Sequence, residues 1–407
     1  MGCDFGNPPC VIVLGFALML ADGSAFAQKR YDPGASDAEI TIGHIVPYTG
    51  LASPYSVIGK TEAAYFAKIN AEGGVNGRKI RFLSYDDAYN PAKTVEQARK
   101  LVESDEVLLI FNSLGTPTNT AIRKYMNHKK VPQLFVASGA SKWNDPQRFP
   151  WTMGWQPSYE SEARIYARYL LEHQSAAKIG VLYQNDDYGK DYLKGLKDGI
   201  AGRMPIIEVA YEAAATTLDS ELVSLKAAGA DVLFDVSGPK FVIQIIRKLV
   251  ELDWRPVHVL NNVSTAIGSV LKPAGPENAK GILSTSFLKD PADPTWASDP
   301  GMQQWLAFMA AYYPDGDRTS FFTVYGYSVA QTLIEVLRRC GDDLTRENVM
   351  RQAASLHHLQ LSVLLPGITI NTRPDHYAPI EQMQMMRFTG ESWALFGPVL
   401  DGEAGGG

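Results

Sequence analysis

The sequence predicts an α/β protein with two lobes, each built around a parallel β-sheet. Short apolar runs alternate with helix-like stretches twice, first within residues 39–141 and again within 178–260. An aromatic and proline-rich segment at 148–159 separates the two series. This alternation is typical of parallel sheets, because parallel neighbours need a crossover connection that is usually a helix.

The first series begins with EITIGHIV at 39–46, which alternates and then becomes apolar, as expected for a strand. Gly73-Gly74 ends the next helix-like stretch, since glycine favours helix ends. The series consists of strands at 39–46, 79–85, 107–111 and 131–136, with helices at 59–72 and 90–103 and a helix-like stretch before the last strand.

The second series repeats this order and leads into a mixed C-terminal part. Its predicted strands are 178–183, 206–211, 232–236 and 257–260, and its helices are 188–201, 219–228 and 241–252. The chain then predicts a strand at 282–287, helices at 302–312, 322–340 and 345–354, and a β-rich tail from 364.

Residues 1–27 are typical of a cleaved secretory signal peptide. Val11 to Leu20 is an apolar run too short to span a bilayer, and Ala25-Phe26-Ala27 is a small-x-small cleavage pattern. The first ten residues contain no Lys or Arg and include Asp4, which departs from the usual pattern. We therefore expect the protein to be exported.

Composition excludes several classes of function. The chain has a formal net charge of −6 and no basic cluster, which argues against a nucleic-acid surface. Beyond residue 27 no apolar run approaches the length of a membrane span. Removal of the signal would leave Cys340 as the single cysteine, so no internal disulfide is expected.

Two loops at predicted strand ends have the composition of a ligand site. Asn112–Thr118 follows one strand and Ser138–Ser141 follows the next, and both are rich in Gly, Ala, Ser and Thr. In open parallel sheets, ligands bind at the carboxyl ends of the strands, where helix N-termini offer free N–H groups. Ordinary helix capping by Thr116 and Ser141 is an alternative explanation.

Four sequence motifs carry a resemblance to a known family. INAEGGVNGRKI (69–80), YDDAYNPAKTVEQARKLVE (85–103), the stretch 109–141 and NDDYGKD (185–191) resemble the type I periplasmic substrate-binding proteins of ABC transporters. The likeness is to the branched-chain-amino-acid-binding (leucine/isoleucine/valine-binding) family and extends over about 39–398.

The resemblance implies two Rossmann-like lobes joined by a three-stranded hinge, with ligand held between them. Lobe 1 would comprise 39–156 plus 287–363, and lobe 2 would comprise 157–286 plus 364–400. Residues 401–407 are expected to be a disordered tail.

The resemblance also implies which residues contact ligand. A carboxylate would be held by backbone and hydroxyl donors of the two small-residue loops, and aromatic residues would flank the ligand's side chain, with Tyr325 as a near alternative. The implied ligand-binding residues are Tyr48, Tyr55, Asn112, Gly115, Thr116, Gly139, Ala140, Ser141, Tyr188, Ser237, Gly238, Asn262 and Phe322.

One departure from the family bears on the ligand. Amino-acid binders carry an acidic residue after the strand equivalent to 257–260, whereas this chain has Asn261-Asn262-Val263-Ser264. A buried ammonium without a carboxylate is costly, so we expect an aromatic acid. A branched-chain or other hydrophobic amino acid remains the alternative, with Asp86, Asp235 or Glu381 supplying the charge.

No enzyme, cofactor or metal site is expected. Gly59-Lys60-Thr61 lacks the first glycine of a phosphate-binding loop, and Ser138 lacks the glycine pattern of a nucleophile elbow. No Cys or His pair has metal-ligand spacing. The expected partners are a small ligand and an ABC transporter permease, with the protein a monomer. A ligand sensor for a separate receptor is the alternative.

Overall fold

The structure, a computed structural model, describes residues 1–6 and 29–403. The expected signal peptide therefore lies mostly outside the described residues, as does the end of the expected tail, 404–407. The strands are β1 (Arg30–Tyr31), β2 (Glu39–Val46), β3 (Lys79–Asp86), β4 (Leu109–Phe111), β5 (Gln133–Val136), β6 (Thr152–Gly154), β7 (Ile179–Gln184), β8 (Ile206–Tyr211), β9 (Val232–Val236), β10 (Val257–Leu260), β11 (Leu283–Ser286), β12 (Asp343–Leu344), β13 (Gln382–Phe388) and β14 (Trp393–Asp401).

Helices connect most of these strands. Asn90 and Asp186 are the N-cap residues of α2 and α5, because their side chains accept hydrogen bonds from N–H groups of the first turn. The helices are α1 (Ser56–Ala71), α2 (Pro91–Arg99), α3 (Thr116–Lys129), α4 (Tyr159–His173), α5 (Asp187–Ile200), α6 (Asp219–Ala227), α7 (Pro239–Glu251), α8 (Lys272–Ala274), α9 (Pro276–Ala279), α10 (Pro300–Tyr312), α11 (Phe321–Cys340) and α12 (Arg346–Ala353).

Lobe 1 is built on a five-stranded parallel sheet in the order β3-β2-β4-β5-β6. Its interior strand β2 is almost wholly buried, and Ile42 lies opposite both Phe82 and Leu109. Helix α1 packs against α10 and α11, and α2 packs against α3. The chain passes from lobe 1 to lobe 2 near Trp155, the first crossing, and returns after β11 near Phe287, the second crossing. The helices α10 and α11, which follow the second crossing, therefore complete lobe 1.

Lobe 2 is built on a seven-stranded sheet in the order β14-β13-β11-β10-β9-β7-β8. Strands β7 to β11 are parallel, while β13 and β14 add an antiparallel edge in which Leu283 lies opposite Arg387. The predicted α/β fold with parallel sheets in two lobes is confirmed.

The third crossing, from lobe 1 to lobe 2, lies later in the chain than residue 364, where the boundary is predicted from the sequence. Leu365 N–H donates to Phe287 C=O at 3.0 Å, and Thr372 Oγ1 donates to Ala353 C=O at 2.6 Å. Tyr377 N–H donates to Asn144 Oδ1 at 2.6 Å. Residues 364–380 therefore pack on lobe 1, and the chain reaches lobe 2 near Glu381, because their polar groups find partners there.

The C-terminal strand extends into the segment expected to be disordered. Asp401 pairs with Gln382 at the end of β14. Glu403 accepts a hydrogen bond from Ser161 Oγ at 2.6 Å, and Gly402 C=O accepts one from Arg164 Nε at 2.5 Å. The expected tail is thus corrected for residues 401–403, which are held against α4.

A short ribbon formed by β1 and β12 has no counterpart in the predicted elements, since two-residue strands carry no periodic signal. Arg78 fixes it: the guanidinium donates to Tyr31 Oη at 2.6 Å and to Asp342 Oδ1 at 2.5 Å. This ties the segment around Arg30 and Tyr31 to lobe 1.

Trp155 lies on the first crossing and is completely buried. Its ring contacts Phe287 on the second crossing and Tyr325 of α11, with centroid separations of 5.8 and 5.1 Å. Its Nε1 donates to Thr332 Oγ1 at 3.0 Å. One side chain therefore joins two crossings to a lobe 1 helix.

We expect Trp155→Ala to lower the free energy of unfolding by about 3–5 kcal/mol, because it leaves a large cavity in a packed region. Urea denaturation of both proteins measures this. Thr332→Val is the control, since it removes only the hydroxyl that accepts from Trp155 Nε1 and donates to Ser328 C=O, and it should cost about 1–3 kcal/mol. A loss below that of Thr332→Val would contradict the role assigned to the ring.

Candidate functional site

A cavity lies between the two lobes, and its empty space, including the part that is open to solvent, amounts to about 890 Å³. Both lobes contribute loops that follow the carboxyl ends of their strands, together with the crossings and the start of α11. The lining residues are Leu51, Ala52, Tyr55, Ile58, Tyr89, Leu114, Gly115, Thr116, Ala137, Gln156, Tyr159, Gln184, Tyr188, Ala213, Gly238, Pro239, Lys240, Phe241, Asn262, Val263, Phe287, Phe321, Phe322 and Tyr325.

Aromatic rings form much of this lining and are fixed by contacts with one another. Tyr55 meets Phe322 edge to face at 5.0 Å in lobe 1. Tyr159 meets Tyr188 edge to face at 5.2 Å where α4 and α5 begin. Such pairs contribute beyond their buried area, so the walls are preformed surfaces for an apolar or planar ligand.

The N-terminus of α3 opens onto the cavity from lobe 1. Gly115 precedes it with φ of 103°, and no side chain caps the helix. A Cβ on Gly115 would lie 2.4 Å from the Tyr89 ring, so only glycine fits. Thr116 Oγ1 lies 2.7 Å from Ser138 Oγ. Free N–H groups, a hydroxyl and the helix dipole together suit a carboxylate.

Helix α7 approaches the cavity from lobe 2 in a similar way. Gly238 precedes it without a side-chain cap, and Pro239 and Lys240 are its first two residues. Lys240 Nζ donates to Gly50 C=O across the cleft at 2.9 Å. Among the lining residues that the structure describes, Lys240 alone is charged.

Tyr188 adds a polar group that has no protein partner. Its side chain is buried and lines the cavity, and its hydroxyl makes no hydrogen bond. Burial raises the pKa of this phenol well above its usual range, so it stays protonated. A buried unpaired hydroxyl is costly, and a ligand atom in the cavity could supply its partner.

The structure brings only part of the implied site to this cavity. Those implied residues that line it are Tyr55, Gly115, Thr116, Tyr188, Gly238, Asn262 and Phe322. Tyr325, the near alternative, lines it as well. The implied residues that do not line it are Tyr48, Asn112, Gly139, Ala140, Ser141 and Ser237.

Physical reasons account for the residues that lie elsewhere. Tyr48 turns away to bond Ser84 Oγ at 2.6 Å. Asn112 is buried beneath the cavity, where its amide donates to Phe135 C=O at 2.6 Å and to Tyr325 Oη at 3.2 Å. Ser237 Oγ donates to Asp235 Oδ1 at 2.5 Å.

The loop Gly139–Ser141 lines a separate pocket, next to Gln156 and Ser158, whose empty space including open solvent is about 510 Å³. Gly139 packs so tightly that a Cβ there would lie 2.5 Å from Pro157 O. Ser141 N–H donates to Asp191 Oδ2 at 2.7 Å, which joins the two lobes. This part of the implied carboxylate clamp is therefore used in contacts within the protein.

The three acids that could pair with a ligand ammonium are engaged away from the cavity. Asp86 accepts hydrogen bonds from Tyr48 N and Thr49 Oγ1. Asp235 lies 3.1 Å from His258 Nε2, and Glu381 lies 2.6 Å from His376 Nε2. In the described part of the chain, none of the three lines the cavity.

Sequence reasoning missed several lining residues. Tyr89 reaches the cavity through a positive φ of 61°, for which the sequence gives no signal. Gln184 is the last residue of β7, and Lys240 lies in the first turn of α7, shortly after the end of β9. Their positions near the carboxyl ends of strands could have identified them. Tyr159 also lies at a helix start, directly after the crossing.

Glu162 positions the loop that carries Asn262. This carboxylate is buried, and it accepts hydrogen bonds from Asn262 N–H, Tyr166 Oη and Tyr192 Oη, each at 2.7 Å. Burial raises the pKa of Glu162 to about 7. The loop therefore depends on a group that titrates near neutrality.

A two-lobed α/β protein with a ligand-sized cavity between its lobes is the architecture of a solute-binding protein. The chain belongs to the family described as "Periplasmic binding protein", whose sequence profile matches residues 39–392. The family resemblance found in the sequence is thereby confirmed.

Similar proteins include both sequence relatives and solved structures. "Leu/Ile/Val-binding protein homolog 7" of Brucella abortus (strain 2308) is 23% identical over 328 residues, covering 75% of this chain and 78% of the relative. The crystal structure of "a branched chain amino acid ABC transporter from Thermus thermophilus with bound valine" has a TM-score of 0.80 and 16% identity, covering 90% of this chain and 97% of that one. A "fatty acid ABC transporter substrate-binding protein from Thermomonospora curvata" has a TM-score of 0.77 and 19% identity, covering 92% and 95%.

The described residues include neither a helix that could span a membrane nor a cluster of metal-ligating side chains. No helix there is long and apolar enough to cross a membrane. No group of three or more His, Cys, Asp or Glu side chains within 1–6 and 29–403 could hold a metal ion.

We expect Glu162→Gln to flatten the pH dependence of stability between about pH 4.5 and 7. In that window the folded protein keeps a proton on Glu162 that the unfolded chain has released, so raising the pH favours unfolding. The pKa difference corresponds to roughly 3 kcal/mol across the window. Denaturant unfolding at several pH values measures how the free energy of unfolding changes with pH in the variant and in the unmodified protein.

Glu172→Gln is the matched control, because Glu172 is exposed on the same helix. Asp290 and Asp191, whose pKa values burial raises to about 7 and about 6, contribute equally to all three proteins. Equal slopes for Glu162→Gln and the unmodified protein would show that Glu162 titrates normally.

Proposed function

We propose that this protein is the substrate-binding component of an ABC transporter, exported to the periplasm by the signal peptide at 1–27. It captures a small ligand that carries a carboxylate and a hydrophobic body, and delivers it to a membrane permease. The observation that carries this proposal is the aromatic cavity between the lobes, onto which the uncapped N-terminus of α3 opens.

The names of the relatives favour a branched-chain or other hydrophobic amino acid as the ligand. A Leu/Ile/Val-binding homologue and a valine complex are both similar to this chain over most of its length. This support is stronger than any that the comparisons give to the aromatic acid expected from the sequence.

The composition of the cavity favours the second ligand class, an aromatic or other acid without an ammonium group. Among the described residues, no carboxylate side chain lines the cavity. An ammonium would have to rely on neutral acceptors such as Gln156 and Gln184, which compensate its desolvation less well than an ion pair.

Ligand binding would act on the equilibrium between open and closed lobes. Contacts such as Lys240 to Gly50 and Ser141 to Asp191 already connect the lobes. A ligand that touches both lobes adds stability to the closed state alone, and this difference drives closure. The permease would then recognise the closed protein.

A thermal-shift screen of residues 28–407 tests the function. We expect stabilisation by members of one of two ligand sets: leucine, isoleucine, valine and phenylalanine, or benzoate, hydroxybenzoates and coumarate. A ligand at about a hundred times its dissociation constant adds about 2.7 kcal/mol. The protein should first be unfolded and refolded to remove ligand carried from expression. No shift with either set would refute the proposed ligand class.

We expect Thr116→Val to weaken binding of the identified ligand by roughly tenfold or more, because a hydrogen bond to a charged group is lost. The fold should survive, since Ser138 keeps its bonds to Trp143 Nε1 and Ala140 N. Thr120→Val, one turn further along α3 and exposed, is the control. Calorimetric titration measures the affinity of each variant. Equal affinities for Thr116→Val and Thr120→Val would show that the ligand's carboxylate does not bind at the N-terminus of α3.

A further inference from the structure

Lys240 occupies an electrostatically unfavourable place in lobe 2. It is the second residue of α7, where the helix dipole is positive and favours anions over cations. The first turn of α7 contains no acidic residue that could compensate. A lysine at this position therefore costs free energy unless negative charge arrives from elsewhere.

The protein itself does not supply that negative charge. Lys240 Nζ contacts the carbonyl of Gly50 on the opposite lobe, and no carboxylate of the described chain forms an ion pair with it. One carbonyl uses a single N–H of the ammonium, so further donors are available. The side chain is partly buried and lines the cavity.

A second group of lobe 2 is also without a partner. The hydroxyl of Tyr188 is buried and unpaired, and Tyr188 lines the same cavity. A phenol that stays protonated can donate to a negatively charged oxygen. Lobe 2 thus presents a cation, an uncapped helix N-terminus and an unpaired hydroxyl, all of which suit an anion.

We propose that Lys240 is the lobe 2 contact for the negative charge of the ligand, and that it makes the site select anionic acids over zwitterionic amino acids of the same skeleton. This inference rests on the proposed function and specifies its ligand class. Lys240 would bridge the bound anion and Gly50, so that the ligand's charge strengthens lobe closure.

Matched ligands isolate the charge. 4-Methylpentanoate differs from leucine, and 3-phenylpropanoate from phenylalanine, only by the α-ammonium group. We expect the unmodified refolded protein to bind each acid roughly tenfold or more tightly than its amino acid, measured by calorimetric titration. We expect Lys240→Met to weaken the acids by roughly tenfold or more and to change the amino acids much less.

Two controls accompany the titration. Lys272→Met removes the same charge from an exposed position of lobe 2 off the cavity and should leave all affinities unchanged. Denaturant unfolding of Lys240→Met without ligand checks that the fold is intact. Lys240→Arg keeps the charge and should retain most of the preference for acids.

The outcomes separate this inference from the proposed function. Tighter binding of the amino acids, or an acid affinity that Lys240→Met leaves within about twofold, would overturn the inference while the binding function stands. Equal weakening of acids and amino acids by Lys240→Met would mean that Lys240 only connects the two lobes. That result would also overturn the inference. No binding of any of the four compounds would refute both the inference and the proposed ligand class.

Discussion

The cleft depends on the aromatic contacts around Trp155. This residue of the first crossing packs on Phe287 of the second and on Tyr325 of α11, and the last two also line the cavity. The same rings therefore connect the crossings and form the floor of the cleft. Because the packing is tight and directional, a change in the floor changes the relation of the lobes. A ligand in the cavity would therefore contact rings that also hold the two crossings together.

Most of the fold could be predicted from the sequence, because strands and helices in each series obey local rules. Buried parallel strands such as β2 appear as apolar runs, and Gly74, with φ of 86°, ends the turn after α1. The position of the third crossing could not be predicted. Residues 364–380 belong to lobe 1 through hydrogen bonds to distant partners such as Ala353 and Asn144, which leave no periodic pattern.

The site was predicted less completely, for reasons that differ between residues. Gly115 and Thr116 were identifiable, since a small-residue loop at a strand end leads directly into a helix. Gly139 has the same composition, but its close approach to Pro157 places its loop on a neighbouring cavity. A glycine-rich composition can therefore indicate that the backbone is closely approached by other atoms. Only the structure shows whether the loop packs against protein or lines the cavity.

The charge balance of the cleft is set mainly by helix ends. Uncapped N-termini of α3 and α7 face the cavity from opposite lobes, and both favour negative charge. A carboxylate satisfies one end in either ligand class, so the carboxylate alone does not discriminate between them. Discrimination depends on the group beside the carboxylate, where an α-ammonium would approach Lys240 or neutral acceptors instead of a protein carboxylate. Like charges repel more strongly in a low-dielectric environment than in water, so an ammonium close to Lys240 would be disfavoured even where the ligand's carboxylate is well held.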